Sequence, residues 1–181
     1  DRGTLVMTEQ GTKKRASLHL VQGRPLLATH DRGGLEVMDS TLEQFEAALA
    51  RGNHTLKRAL TDPRLFSGIG NAYSDEILHV AKLSPFALAA SLDAETVARL
   101  YAALRVTLTQ AVAAASGKPA AELKDAKRAG MRVHGRTGEV CPECGDLVRE
   151  VSFADSSLQY CATCQTGGKP LADRRTSKFL K

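Results

Sequence analysis

Tryptophan is absent from the 181 residues, and aromatic residues of all kinds make up only 4%. A core so poor in rings must be filled by Leu, Ala and Val, a palette that favours helices. No run of about 18 apolar residues occurs, so no membrane-spanning helix is expected. The opening DRGTLVMTEQG has no apolar stretch of the kind a secretory signal needs. It also lacks an initiator Met, which suggests a piece of a longer protein. Cysteine is scarce too. There are four, too few and too regularly paired for a secreted disulfide scaffold, and better suited to a metal site in a reducing compartment.

What the sequence does contain is enough for a real core. It is 43% hydrophobic, which supports one ordinary domain or one domain plus a small module. The formal net charge is +5, a lean toward a polyanionic partner. The four cysteines carry the sharpest signal. CPEC and CATC are separated by sixteen residues, so Cys141, Cys144, Cys161 and Cys164 are the expected ligands of one structural Zn2+. Each Cys-x-x-Cys turn presents two thiolates on one side, and two turns complete a tetrahedron. Four thiolates leave no open position, so such a metal holds a fold and does no Lewis-acid chemistry.

Along the chain, residues 3–30 alternate and carry turn residues. Leu5, Met7, Leu18, Leu20 and Val21 predict strands, with a basic loop at Lys13, Lys14 and Arg15 and a turn at Gly23-Arg24-Pro25. Residues 31–40 read as a linker. From Thr41 the period becomes helical, with Ser40 or Thr41 as N-cap and Leu42, Phe45, Ala48 and Leu49 on one face. A short helix over Thr55 to Leu60 ends before Asp62-Pro63. Gly68-Ile69-Gly70-Asn71 is a glycine turn opening a helix that runs to about Lys82. Such a turn exposes backbone N–H groups at the positive end of the helix dipole, a natural phosphate site, and Asn71 serves as cap or as side-chain donor. The same turn also suits two helices that simply pack. Residues 92–115 predict the longest helix. Residues 118–139, with Lys118, Lys124, Lys127, Arg128, Arg132, His134 and Arg136, read as a basic linker. The tail after Cys164 carries Lys169, Arg174, Arg175, Lys178 and Lys181 against Asp173, a solvated tail or a phosphate-contacting arm.

The order of GIGNAYSDEIL, the run VHGRTGEVC and the four-cysteine knuckle followed by Gln165 resembles the formamidopyrimidine-DNA glycosylase and endonuclease VIII family of base-excision-repair enzymes, from about Thr41 to Gln165. The resemblance implies a mainly α fold with a small β part: an N-terminal β-sandwich remnant with linker (1–38), a helix-two-turns-helix DNA-binding domain (39–130), a zinc β-hairpin finger (131–168) and a basic tail (169–181). It implies Lys57, Gly68, Gly70, Asn71, His134 and Arg136 as DNA-binding residues, with Glu76 in a structural role. The implied partner is double-stranded damaged DNA, bound by a monomer in the bacterial cytoplasm. Family members extrude a damaged base, attack C1′ with an N-terminal proline amine and cut the strand by β-elimination.

This chain begins Asp1-Arg2, so no catalytic residue is assigned in it, and the chain alone is expected to be inactive. Two further departures concern the grip on DNA. The finger position five residues before the third cysteine, an arginine in the family, is Ser156 beside Asp155, and the tyrosine before the finger is His134. They suggest a divergent subfamily whose grip has moved to the basic hairpin or the tail. A non-catalytic zinc-dependent DNA- or RNA-binding module is the alternative. A dithiol redox protein is disfavoured by two pairs without a βαβ pattern.

Overall fold

A computed structural model describes residues 3, 7, 16–153 and 156–172. The chain divides into two units, residues 1–31 and 32–181. In the first, the strands predicted through Leu18, Leu20 and Val21 are not formed. Residues 16–22 carry no regular structure, and α1 (Arg24–Leu27) leads into a 3-10 turn, Ala28–His30. The predicted turn is therefore a helix start. Pro25 sits in the first helical turn, where its missing N–H would have had no partner anyway. A strand needs a neighbour for its backbone, and none is present among the described residues of this unit. Leu5 and the basic loop at 11–15 lie outside the described residues.

The second unit is built on helices. Thr41 caps α2 (Leu42–Leu49) with a capping box: its hydroxyl accepts the Gln44 N–H, and the Gln44 side chain accepts the Thr41 N–H. Then come α3 (Leu56–Thr61), α4 (Asn71–Val80) and α5 (Ala94–Ala115), the last capped by Asp93. Phe45, Leu56, Leu60, Phe66, Ile77, Leu78, Leu100 and Leu104 fill one core, and the rings of Phe45 and Phe66 stack at 4.9 Å. Truncating any of the fully buried leucines costs about 2–5 kcal/mol. The core begins earlier than the sequence implies. Leu35 pairs with Phe66, and Val37 is buried, so part of the expected linker belongs to the helical body. Arg105 on α5 holds the same segment through the Val37 and Met38 carbonyls.

The basic run after α5 contains a further helix, α6 (Leu123–Ala129), where a linker was expected. None of its residues is buried, so it has no apolar stripe for periodicity to reveal. The chain ends in an antiparallel hairpin, β1 (Val148–Ser152) with β2 (Ser157–Cys161), and a short α7 (Ala162–Thr166). Val148 faces Cys161 and Val151 faces Leu158 in the register. Among the described residues no helix is long and apolar enough to cross a membrane.

Candidate metal centre and nucleic-acid interface

A two-stranded hairpin is marginal in water unless something fastens it. Here the fastening comes from both ends. The CPECG turn folds back on itself: the Gly145 N–H reaches the Cys141 carbonyl at 3.0 Å, and the Cys141 N–H reaches the Asp146 carbonyl at 2.7 Å. Gly145 has φ +79°, a left-handed conformation that a side chain would strain. Cys161 ends β2, and Cys164 lies one helical turn on in α7. All four cysteines are free thiols, and their Sγ atoms lie within 4.8 Å of one another. The separations of 3.9 Å for Cys141–Cys164 and 3.4 Å for Cys144–Cys161 bracket the ~3.8 Å edge of a tetrahedron with Zn–S bonds of about 2.3 Å. The donor set therefore fits one structural zinc. In the thiol form, burial pushes Cys161 up to about 11 and raises Cys164 further, while backbone hydrogen bonding at Asp146 lowers exposed Cys144. Metal binding must displace those protons.

The finger is bolted to α4, and α4 is unusual for it. Almost the whole helix is buried, including Ser74, Asp75, Glu76 and His79, so each of these polar groups requires a partner. Glu76 accepts the backbone N–H groups of Arg132, Val133 and His134 at 2.8, 3.0 and 2.8 Å. Asp75 accepts the Lys57 ammonium at 2.5 Å, His134 Nδ1 at 2.7 Å and the Gln159 N–H at 3.3 Å. His79 Nε2 lies 3.3 Å from Cys141 Sγ, placed to donate to that sulfur as a thiolate, and its Nδ1 is buried without a partner. Gln165 closes the docking: its side chain accepts the Cys161 N–H and donates to the Leu83 carbonyl, both at 2.9 Å.

The glycine turn stands at the head of the same helix. Gly68 has φ +78°, the left-handed conformation the turn requires, and Gly70 is the N-cap. The cap is thus the glycine, and Asn71 is the first helical residue. No side chain caps this end, and the N–H groups of Asn71, Ala72 and Tyr73 have no partner among the described residues. The Asn71 amide donates to the Ser157 carbonyl of the hairpin at 2.8 Å, and a second amide hydrogen stays available.

The expected site residues divide into two sets. Lys57, Asn71 and His134 are drawn together around Asp75, beside Gly68 and Gly70. Lys57 spends its donors inward on the Asn71 carbonyl, Ser74 Oγ and Asp75. Burial depresses its basicity, and the Asp75 charge opposes that. His134 stays half-exposed. Arg136 pairs with Glu139 at 3.5 Å and makes no hydrogen bond or ion pair to α4. Sequence reasoning missed Asp75, His79 and Gln159 as docking groups. For Asp75 and His79 the signal was polar residues in a helix with no solvent-facing stripe to put them on; Gln159, in β2, gave none.

Comparison with known proteins gives concordant results. Residues 35–121 match the formamidopyrimidine-DNA glycosylase H2TH domain, and residues 138–167 match the zinc finger found in FPG and IleRS. An uncharacterized formamidopyrimidine-DNA glycosylase-like protein of Mycobacterium tuberculosis is 53% identical over 148 residues, 82% of this chain and 94% of that one. The crystal structure of the MutM (Fpg) protein from Thermus thermophilus superposes with a TM-score of 0.66 at 35% identity, over 81% of this chain and 57% of the other. Lactococcus lactis Fpg in complex with an abasic-site-containing DNA gives 0.67 at 25% identity, over 78% and 54%. The chain spans about half the length of the curated formamidopyrimidine-DNA glycosylases it matches.

Proposed function

Since the chain belongs to the formamidopyrimidine-DNA glycosylase and endonuclease VIII family, we propose that it is the DNA-binding portion of a base-excision-repair glycosylase and abasic-site lyase. Its ligand is duplex DNA carrying a damaged base or an abasic site. The observation that carries this reading is the direct bond from Asn71 to the Ser157 carbonyl. It sets the glycine turn and the zinc hairpin side by side as one surface. The open N–H groups of α4, the second hydrogen of the Asn71 amide and His134 meet the phosphates there. The zinc holds the hairpin against α4, and Lys57 acts through Asp75 by fixing the shape of the turn. Phosphate contacts of this kind give affinity and register with little sequence information. No catalytic residue is assigned within the 181 residues.

The test is binding to abasic-site duplex over a salt series. Binding through phosphates is expected to weaken as salt rises. Little dependence on salt would remove the phosphate surface from the proposal.

One observation favours a second reading, a non-catalytic zinc-dependent DNA- or RNA-binding module. The M. tuberculosis relative is matched over 94% of its own length, so that relative holds little beyond the matched stretch. Borohydride trapping on abasic-site DNA separates the readings. An adduct with the full-length parent supports the lyase, and intact binding without an adduct supports the module.

A further inference from the structure

A cavity of about 390 Å³ lies between α4, the C-terminal half of α5 and α6. Its volume falls in the range of small-molecule sites. It exists because α6 packs loosely on α5: none of that helix's residues is buried, and Leu123 and Ala126 line the space without filling it.

The walls have a defined chemistry. The α5 side is lined by Ala111, Ala114 and Ala115, whose short side chains keep it shallow. Tyr73 from α4 also lines the cavity, and the Lys127 ammonium sits 5.4 Å from the centre of its ring. Lys127 has no carboxylate partner among the described residues, and Arg132, the other cation at the rim, is paired with Glu143. Glu76, the one carboxylate in the wall, spends its oxygens on three backbone N–H groups. Thr107 Oγ1, also in the wall, is buried with no hydrogen-bond partner, a state that native structures seldom leave unexplained. Gln110 adds an amide.

We propose that this cavity binds a planar aromatic anion of mononucleotide size, with a purine nucleoside monophosphate as the fitting class. The ring lies between Tyr73 and the alanines, the Gln110 amide and Thr107 hydroxyl meet its polar edge, and Lys127 takes the phosphate. The site uses none of Asn71, His134 and Lys57, and the proposal does not rest on the DNA surface described above. Aromatic stacking with cation attraction supplies the affinity, and the single unpaired cation selects the charged form.

The experiment is titration of the zinc-loaded chain with deoxyguanosine monophosphate, followed by NMR on the alanine methyl groups. Deoxyguanosine and inorganic phosphate serve as separate arms. Saturable shifts at Ala111, Ala114 and Ala126 are expected, at least about tenfold weaker for either arm, the step that loss of one charge-assisted contact produces. Lys127→Ala is expected to weaken binding by a similar factor. Ala114→Phe, at an exposed position of the rim, is expected to abolish it while zinc content and duplex binding stay unchanged. The proposal is overturned by shifts that inorganic phosphate reproduces, by binding that survives Ala114→Phe, by displacement with saturating duplex DNA, or by no binding at millimolar nucleotide.

Discussion

Replacing Glu76 by Gln tests how the finger is held. The wild-type carboxylate accepts the Val133 and His134 N–H groups on one oxygen and the Arg132 N–H on the other, and the residue is 3% exposed. Glutamine keeps one acceptor oxygen, which can serve Val133 and His134. Its NH2 then faces the Arg132 N–H, donor against donor. Two bonds lose their charge assistance at about 1 kcal/mol each, and a third donor is left unpaired at about 1–3 kcal/mol, giving about 3–5 kcal/mol in all. The four cysteines are untouched, so zinc stays bound. The effect falls on docking and is read by hydrogen exchange at residues 132–134. Protection there drops by about two to three and a half powers of ten, since about 1.4 kcal/mol is tenfold. Abasic-site DNA binding weakens in parallel. A change in protection below about fivefold, roughly 1 kcal/mol, would show that the carboxylate does not hold the finger.

Further outcomes are equally direct. Lys57→Met removes the cation from buried Asp75 and leaves it the His134 and Gln159 contacts, so chemical denaturation should show a loss of about 1–3 kcal/mol; no loss would mean the ion pair is idle. Chelation of zinc should abolish amide protection in β1 and β2 while circular dichroism keeps the signal of α2 to α5, because the helical core is a separate cluster. A fold unchanged by chelator would sink the structural role of the metal. Hydrogen bonds from Gln159 and Ser152 hold Glu150 below the ordinary glutamate range. Its contribution is complete above that range and is lost as pH falls through it toward the lowered value. Glu150→Gln should therefore flatten the acid side of hairpin stability, and an unchanged profile would place that titration elsewhere.

The parts of the fold that repeat a simple rule were legible in the sequence. Thr41, one of two N-cap candidates, opens α2, the helix predicted over 92–115 is α5, and the paired cysteines defined the metal centre by spacing alone. The N-terminal strands were misread because alternation of Leu18 and Leu20 says nothing about whether a neighbouring strand exists. Helix α6 was missed because it buries nothing, so its sequence LKDAKRA carries no face. The docking of finger on helix was hidden for a different reason. Glu76 and Arg132 to His134 lie more than fifty residues apart, and no local pattern links a helical carboxylate to distant backbone N–H groups. The GIGN turn was readable as the start of α4, but the Asn71 tie to Ser157 was not.

The most direct test compares binding of abasic-site duplex at low salt by three proteins: the zinc-loaded chain, the zinc-stripped chain and Asn71→Ala. The shared surface of glycine turn and zinc hairpin predicts salt-sensitive binding by the first, loss on stripping, and about a tenfold or greater drop for Asn71→Ala without unfolding, as removal of a phosphate donor and one hairpin bond implies. Binding by all three alike would contradict it.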